Sequence, residues 1–275
     1  MGQFAVSIAT QPGFVHSEAF REVAESVHHG LRALGHDSLL TDRLDLPDRQ
    51  HIVFGSNLIS VADQALPAGS ILYNLEQIYD ESPWLTPDLL ALFRAHTVWD
   101  YSLANIEALA GHGIAARHVP IGYVPELTRI PRAPLLDIDV LFVGSIVERR
   151  LAVLQALHER GANVIPAFGV YGEERDELIA RAKIVLNVHM YEAKVFEVVR
   201  VSYLLANRCF VVSERGLDLD GERPFEDGIA FAEYHELVNA CLRYLEDEPA
   251  RTRTATRGFE LFAERRVPDM LRAVL

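Results

Sequence analysis

The sequence predicts an α/β protein of two consecutive units, each built around a parallel β-sheet. Apolar segments of strand length alternate with segments of helical periodicity along all 275 residues. Several of the apolar segments end in polar residues, as parallel strands do where their carboxyl ends meet a ligand. A stretch with three prolines and no clear periodicity, residues 124–139, divides this pattern into two halves. We therefore expect two α/β units joined by a linker.

The first half predicts strands that alternate with three helices. The first helix is predicted from Ser17, a favourable N-cap residue, and Gly35 is a favourable stop after it. The other two helices are predicted at residues 86–96 and 103–114. The strands are predicted at residues 4–9, 37–42, 51–56, 70–78, 97–102 and 117–123. The polar ends of the first, fourth and fifth strands are expected on one edge of the sheet.

The second half repeats this alternation after the linker. Strands are predicted at residues 139–145, within 162–172, at 183–189, at 209–214 and at the start of 227–247. Helices are predicted at residues 146–161, 173–182, 193–207, in the rest of 227–247 and, with breaks, in the tail 252–275. No internal repeat or low-complexity tract interrupts the pattern, so a repeat architecture is not expected.

The composition argues against several classes of protein. A formal net charge of −13 disfavours broad nucleic-acid binding, because phosphate contacts need a concentrated basic surface. The sequence contains no run of 18 or more uncharged apolar residues, so a membrane span is not expected. The start MGQFAVSIAT lacks a basic leader, so a secretory signal is not expected either. Cys209 and Cys241 lie among apolar residues and are expected to be buried thiols, which suits a cytoplasmic protein. An acidic chain still binds an anion where cations converge; the candidate cations are Arg149, Arg150, Lys183, Lys194 and Arg200.

The segment KIVLNVHMYEAKVFEVVR, residues 183–200, gathers polar side chains where a strand passes into a helix. Asn187 and His189 alternate on the strand end and are expected to point the same way. On a helix that starts near residue 193, Glu197 and Arg200 lie on one face of an otherwise apolar surface. Such a pair either neutralises itself or leaves Glu197 to accept hydrogen bonds from ligand hydroxyls, for example those of a ribose. The cost of burying the pair favours the second interpretation.

Two glycine-containing turns are further candidates for ligand contacts. In FVGSIVERR, Gly144 and Ser145 stand between a strand and a helix, where backbone N–H groups can approach a phosphate, and Arg149 follows within the first turn. The alternative is a plain turn with solvated arginines. In GVYG, residues 169–172, the backbone could hold a nucleobase beside Tyr171, although a simple turn explains the glycines equally well.

These segments, above all DIDVLFVGSIVERRLAVLQALHERGANV and KIVLNVHMYEAKVFEVVRVSYLLANRCFVVSE, resemble bacterial GT-B-fold glycosyltransferases of the glycosyltransferase family 1 and CgeB-like type. The resemblance implies two facing Rossmann-like domains and a C-terminal helix that returns to the N-terminal domain. It implies an acceptor-side domain at residues 1–125, a nucleotide-sugar-binding domain at 126–258 and a returning tail at 259–275. Members of this group carry a glutamate where this chain has Tyr203.

The resemblance also implies roles for individual residues. Gly144, Ser145 and Arg149 would approach the diphosphate of a nucleoside-diphosphate sugar, and Tyr171 and Gly172 would neighbour its base. The remaining polar residues would meet the ribose, the phosphates or the sugar; they are Asn187, His189, Lys194, Glu197 and Arg200. The donor is a substrate, and no bound cofactor or metal ion is expected in this fold. His189 has no second His or Cys at metal-ligand spacing.

The function expected from this resemblance is metal-independent transfer of a sugar to a hydroxyl of a small molecule, glycan or protein. An inverting enzyme needs a general base near that hydroxyl, and the candidates are His16, Glu76 and Asp100, of which one at most would serve. Each of the three could instead make a cap or a structural hydrogen bond. Two other functions stay open: a sugar-nucleotide epimerase on the same fold, and a two-lobed ligand-binding protein without catalysis.

Overall fold

The computed structural model describes residues 1–11, 13–59, 65–79, 82–191 and 193–275. The chain forms two compact units, of which the first contains Met1–Glu126 together with Arg266–Leu275 and the second contains Leu127–Arg265. Each unit is built on a parallel sheet, and the α/β class predicted from the sequence is therefore confirmed.

The first unit has a six-stranded sheet in the order β2-β1-β3-β4-β5-β6. Because β1 lies between β2 and β3, the strand order reverses beside β1. Helices α1 (Arg21–Ala33), α2 (Pro87–Ala95) and α3 (Leu103–Gly111) connect the strands. The strands are β1 (Gln3–Ile8), β2 (Asp37–Thr41), β3 (Gln50–Phe54), β4 (Ile71–Asn74), β5 (Thr97–Asp100) and β6 (Ala116–His118).

The start of the first helix differs from the prediction. A 3₁₀ helix covers Val15–Phe20, and α1 begins only at Arg21. Ser17 does not cap an α-helix, because its hydroxyl donates to the carbonyl of Phe14 at 3.3 Å. The predicted stop is correct, since Gly35 has a left-handed φ of +82° just after the helix.

The second unit has a five-stranded sheet in the order β11-β10-β9-β7-β8. The strand order reverses beside β7, which lies between β8 and β9, so the carboxyl end of β7 is the expected place for a ligand. The strands are β7 (Ile138–Val143), β8 (Val164–Ala167), β9 (Ala182–Asn187), β10 (Val211–Glu214) and β11 (Ala230–Ala232). The helices are α4 (Glu148–Glu159), α5 (Gly172–Arg181), α6 (Val198–Ala206), α7 (Leu219–Glu222), α8 (Leu237–Glu246) and α9 (Glu248–Ala263).

Helix α6 begins five residues later than the sequence predicts. Lys194 has a left-handed φ of +44°, which ends any helix at that point. Its carbonyl accepts a hydrogen bond from the N–H of Leu217 at 3.1 Å, so residues 193–197 form a loop tied to the segment after β10. Glu197 consequently lies at the N-cap position of α6, ahead of its first helical residue.

The final helix, α10 (Val267–Arg272), belongs to the first unit and packs against α1. Gly30 of α1 permits this contact, because a Cβ at that position would lie 2.5 Å from Cγ1 of Val267. The return of the C-terminal helix is therefore confirmed. The predicted tail covers residues 259–275; in the structure α9 continues to Ala263, and the residues that join the first unit are Arg266–Leu275.

Candidate functional site

Charged side chains gather at the carboxyl ends of β7, β9 and β10 in the second unit. We call them the rim cluster: Arg149, Arg150, Lys194, Glu197, Arg200 and Glu214. The cluster contains four cations and two carboxylates, a formal excess of two positive charges in a chain whose net charge is −13. Such a local excess at a sheet edge favours an anionic ligand.

Glu214 ends β10, and its side chain is fully buried. Its two oxygens accept bonds from Nη1 and Nη2 of Arg149, each at 2.7 Å, and Nζ of Lys194 lies 3.0 Å from Oε1. The N–H of His189 donates to Oε2 at 3.0 Å. Burial acts to raise the pKa of Glu214, but the bonds from Arg149 and Lys194 outweigh it, so this pKa is lowered and the carboxylate stays ionised.

Glu197 joins the two other arginines of the rim cluster. Arg150 is buried and donates from Nη2 to Oε1 of Glu197 at 3.2 Å, while Nη1 of Arg200 lies 2.8 Å from Oε2. Arg150 also donates to the carbonyls of Val188 and Ser145, at 2.8 Å and 3.0 Å. Burial lowers the pKa of Arg150 to about 10, so its guanidinium remains charged at neutral pH. Arg150 therefore fixes the turn after β7 to the end of β9.

The turn after β7 places Gly144 against Arg200. Gly144 has a φ of +146°, and a Cβ built there would lie 3.3 Å from Nη2 of Arg200. The same guanidinium donates from Nη1 to Oδ1 of Asn187 at 3.2 Å. The structure thus brings Gly144 together with Asn187, Glu197 and Arg200, which the sequence analysis had predicted as ligand contacts in a second segment.

His189 has a buried imidazole inside the same loop. Neither ring nitrogen has a hydrogen-bond partner among the residues that the structure describes, and Nδ1 lies 3.9 Å from Oε1 of Glu197. Burial lowers the pKa of His189, so the imidazole is neutral at pH 7. Its carbonyl accepts a hydrogen bond from Nη1 of Arg149. His189 therefore contributes its backbone to the rim cluster and keeps an unsatisfied ring beside it.

The loop after β8 carries the two residues predicted near a nucleobase. Tyr171 is partly buried at the start of α5, and Gly172 is exposed with a left-handed φ of +59°. Phe168, earlier in this loop, is an exposed aromatic side chain. Because β8 is the edge strand beside β7, this loop lies on the same edge of the sheet as the Gly144 turn.

Sequence reasoning missed Glu214 of the rim cluster and did not predict how Arg150 is placed in it. Glu214 was not singled out, although it is a carboxylate directly after an apolar strand, and that placement at a carboxyl end was a usable signal. Arg150 was named only as a candidate cation. Adjacent helical residues point about 100° apart, but the sequence does not reveal that Arg149 faces solvent and Arg150 faces the protein interior.

Tyr203, where the resemblance predicted a glutamate, makes its contacts outside the rim cluster. Its hydroxyl donates to Asp176 at 2.7 Å and accepts from Nε of Arg129 at 2.9 Å. The guanidinium carbons of Arg129 and Arg175 lie 5.2 Å and 4.7 Å from the centre of its ring. Tyr203 therefore connects α6 to α5 and to the linker.

A second polar group lies at the carboxyl ends of β4 and β5 in the first unit. Asp100 is fully buried, and its oxygens accept from the N–H of Ser102 at 2.8 Å and from the side-chain amides of Asn74 and Asn105 at 2.7 Å and 3.0 Å. Both amides also donate to the carbonyl of Glu76 at 2.9 Å. Asp100 therefore positions the turn that carries Glu76.

The three candidate bases differ in their surroundings. The carboxylate of Glu76 is partly buried, and its Oε1 accepts from Nδ2 of Asn57 at 3.3 Å. Burial raises the pKa of Glu76 to about 7, and burial likewise raises the pKa of Asp100 to about 7. His16 lies on the 3₁₀ helix after β1, with its ring centre 5.1 Å from that of Phe14.

The described parts of the chain contain neither a metal-ligand cluster nor a membrane-spanning helix. Within those residues, no group of three or more His, Cys, Asp and Glu side chains is arranged to hold a metal ion. No helix that the structure describes is both long enough and apolar enough to cross a bilayer. Cys209 and Cys241 are buried free thiols, as predicted, and burial raises the pKa of each to about 12.

The two parallel sheets with flanking helices, together with the returning α10, define the GT-B fold of glycosyltransferases. AviGT4, a glycosyltransferase involved in avilamycin A biosynthesis, aligns with 99% of this chain and 98% of its own at a TM-score of 0.58 and 18% identity. Anabaena Alr3699/HepE, solved with UDP and glucose, aligns with 100% of this chain and 98% of its own chain, at a TM-score of 0.62 and a sequence identity of 11%. A T4 phage BGT mutant, solved with UDP-glucose, aligns with 99% of this chain and 96% of its own chain, at a TM-score of 0.59 and a sequence identity of 13%.

The two relatives found by sequence comparison are uncharacterized proteins. The uncharacterized protein L140 of Acanthamoeba polyphaga mimivirus is 27% identical over 185 residues, which cover 64% of this chain and 59% of L140. The uncharacterized protein L137 of the same virus is 26% identical over 155 residues, 54% of this chain and 21% of L137. The chain thus spans less than two thirds of the length of either relative. No protein-family model matches it, and its predicted kinship with CgeB-like proteins stays a prediction.

Proposed function

We propose that this protein is a glycosyltransferase that moves a sugar from a nucleoside-diphosphate sugar to a hydroxyl acceptor. The observation that carries this proposal is the rim cluster, where two excess positive charges stand at the carboxyl edge of a sheet, beside the strand-order reversal. A diphosphate complements that charge and fits the glycine turn beside it. Proteins of the same fold supply further support, since HepE was solved with UDP and BGT with UDP-glucose.

The rim cluster is proposed to hold the leaving group. Arg149 and Lys194 are each about one third exposed and keep N–H donors beyond those used by Glu214. Gly144, Ser145 and Arg200 would contact the diphosphate from the β7 turn. Of the other predicted donor contacts, Glu197 is proposed at the ribose or sugar, and Tyr171 and Gly172 at the base. The side chains of Asn187 and His189 are buried, so these two residues are proposed to support Arg200 and Arg149 rather than to touch the donor.

In the proposed reaction, the acceptor oxygen forms a bond to the anomeric carbon while the bond from that carbon to the diphosphate oxygen breaks. The electron pair of the broken bond moves onto the diphosphate, and the cations of the rim cluster stabilise the added negative charge. The chain's own cations are proposed to supply this stabilisation, with no role assigned to a metal ion. The proton of the acceptor hydroxyl passes to a general base when the anomer is inverted.

Among the three candidate bases, the geometry supports Glu76 best. Asp100 is enclosed by N–H donors and has no exposed surface for an acceptor. Glu76 is less enclosed, and its pKa of about 7 suits proton transfer near neutral pH. His16 is partly exposed on the 3₁₀ helix after β1 and is the second choice.

Thermal-shift titration with uridine, guanosine, cytidine and thymidine diphosphates and their sugars tests the donor assignment first. One nucleotide is expected to stabilise the wild-type protein, and Arg149→Ala is expected to weaken that stabilisation. The donor that binds is then incubated with pooled acceptors, and the products are identified by mass spectrometry. Absence of any shift across the panel would refute the proposal, and conversion of the sugar without an acceptor would identify an epimerase.

A further inference from the structure

The carboxylate of Glu214 is buried, and its hydrogen bonds and ion pairs with the described residues all lead to the rim cluster or its loop. Arg149 reaches it from α4, Lys194 from the loop before α6, and the N–H of His189 from the end of β9. Three separate segments therefore converge on one side chain at the end of β10. Sequence reasoning had assigned Glu214 no role.

The contacts of Glu214 leave it no means of touching a ligand itself. Its side chain has no exposed surface, and both oxygens already accept hydrogen bonds. The cations that it binds are different, since the side chains of Arg149 and Lys194 are 30% and 32% exposed. Each cation is thus fixed by Glu214 and still keeps about one third of its side-chain surface exposed.

The position of Lys194 depends on this arrangement. Its backbone is in the left-handed region, which is unfavourable for a residue with a long side chain. The loop is held there from two sides, by the bond from the N–H of Leu217 to the carbonyl of Lys194 and by the ion pair with Glu214. The approach is also close at Gly216, where a Cβ would lie 2.4 Å from that carbonyl.

Arg149 is similarly constrained. Its two terminal nitrogens both bind Glu214, and its guanidinium carbon lies 4.4 Å from the centre of the Tyr234 ring. The hydroxyl of Tyr234 donates in turn to the carbonyl of Arg149 at 2.7 Å. A bidentate pair fixes the plane of the guanidinium as well as its position, which a single bond does not do.

From this geometry we infer that Glu214 is a positioning residue of the donor site: it pre-aligns Arg149 and Lys194 so that both meet the same diphosphate. The inference rests on the proposed function of the rim cluster. Pre-alignment removes the entropy cost of ordering two long side chains when the ligand binds. Without Glu214 the cations stay charged but lose their common alignment, so diphosphate binding weakens even though a negative charge has been removed.

Isothermal titration with inorganic pyrophosphate and with UDP tests this inference on the full chain. Glu214→Gln keeps the size of the side chain and removes its charge, and we expect a loss of affinity of about tenfold for both probes. A simple electrostatic role predicts the opposite, because removing a carboxylate beside two cations would strengthen anion binding. The sign of the change therefore separates alignment from bulk charge.

Glu222→Gln is the matched control. Glu222 is also a fully buried glutamate of the second unit, but its partners are Arg215 and the backbone of Gly216. Its variant is expected to bind both probes within about twofold of the wild type. An equal loss of affinity in both variants would show that any buried carboxylate of this unit has the effect and would overturn the inference.

Should Glu214→Gln fail to fold, Glu214→Asp keeps the charge but shortens the side chain. Lys194→Ala is expected to lower affinity about tenfold in the wild-type chain and less than about twofold in the Glu214→Asp chain, because the aspartate no longer holds Lys194 in place. Equal effects of Lys194→Ala in both chains would overturn the inference.

The same titrations separate this inference from the proposed function. If the wild-type protein binds neither probe, and none of the other nucleotides, the donor assignment itself fails. If the wild type binds and Arg149→Ala weakens binding, but Glu214→Gln binds as tightly as the wild type, the donor site stands and only the positioning role of Glu214 is wrong.

Discussion

Replacing Glu76 by Gln is expected to make the protein more stable and to abolish sugar transfer. Burial raises the pKa of this carboxyl from 4.5 to about 7, which means that the folded chain disfavours its ionised form. Each unit of pKa difference between the folded and unfolded chain corresponds to about 1.4 kcal/mol, so ionised Glu76 lowers the free energy of unfolding by up to about 3 kcal/mol.

The sign of this effect fixes its pH dependence. Below pH 4.5 the carboxyl is protonated in both states, and it contributes no penalty. Between pH 4.5 and about 7 the folded chain keeps a proton that the unfolded chain has lost, so the wild type loses stability as the pH rises. Above about 7 the full penalty is present. The glutamine variant lacks this contribution, so the free energy of unfolding of the variant should nearly equal that of the wild type at pH 4.5 and exceed it most at pH 8.

Urea denaturation of both proteins at pH 4.5, 6 and 8, followed by intrinsic fluorescence, measures this difference. Glu107→Gln is the control, because it makes the same chemical change at an exposed position of α3 and should alter stability by less than about 0.5 kcal/mol at every pH. Transfer by Glu76→Gln should fall about 10²- to 10⁴-fold, and the kcat/KM of the wild type should rise with pH through about 7. A glutamine variant that is less stable than the wild type at pH 8, or that transfers sugar normally, would refute this reasoning.

Three further outcomes are expected from buried contacts. Gly30→Ala should destabilise the protein by about 1–3 kcal/mol in urea denaturation, because its methyl group would approach α10 to 2.5 Å, whereas Gly111→Ala has open space and should be nearly neutral. Cys209 and Cys241 should not react with a thiol reagent at pH 8 in the native protein, and both should react in urea; labelling of the native protein would contradict their burial. Gly144→Ala should weaken UDP binding in calorimetry, since its φ of +146° is unfavourable for alanine and its Cβ crowds a cation of the rim cluster; unchanged affinity would exclude this turn from the donor site.

The architecture was largely predictable, because alternating strand and helix patterns leave few choices for a sheet. Segments such as residues 138–143 and 182–187 are apolar enough to be buried strands and short enough to exclude helices. The start of α6 was not predictable in the same way. The apolar side chains of Val195, Phe196 and Val198 would suit a helix or a loop, and contacts of Lys194 with the distant segment after β10 decide between the two.

The candidate site was predictable in part for a similar reason. Residues that are close together in sequence, such as Asn187 and Glu197, could be recognised because several polar side chains follow one another where a strand ends. Glu214 joins the same site from a strand that follows α6, and only the sheet order places it beside Arg149. Long-range ion pairs of this kind depend on three-dimensional neighbours, which a single sequence does not specify.

The placement of α10 in the first unit has a consequence for biosynthesis. The second unit, Leu127–Arg265, is one uninterrupted stretch and has all of its residues as soon as Arg265 has left the ribosome. The first unit starts earlier but finishes later, because α1 remains uncovered around Gly30 until Val267 and the residues after it are made. Domains usually fold in the order in which they are synthesised, but here the second unit can be completed before the first. Nascent chains stalled before residue 266 should therefore expose α1 to chaperones.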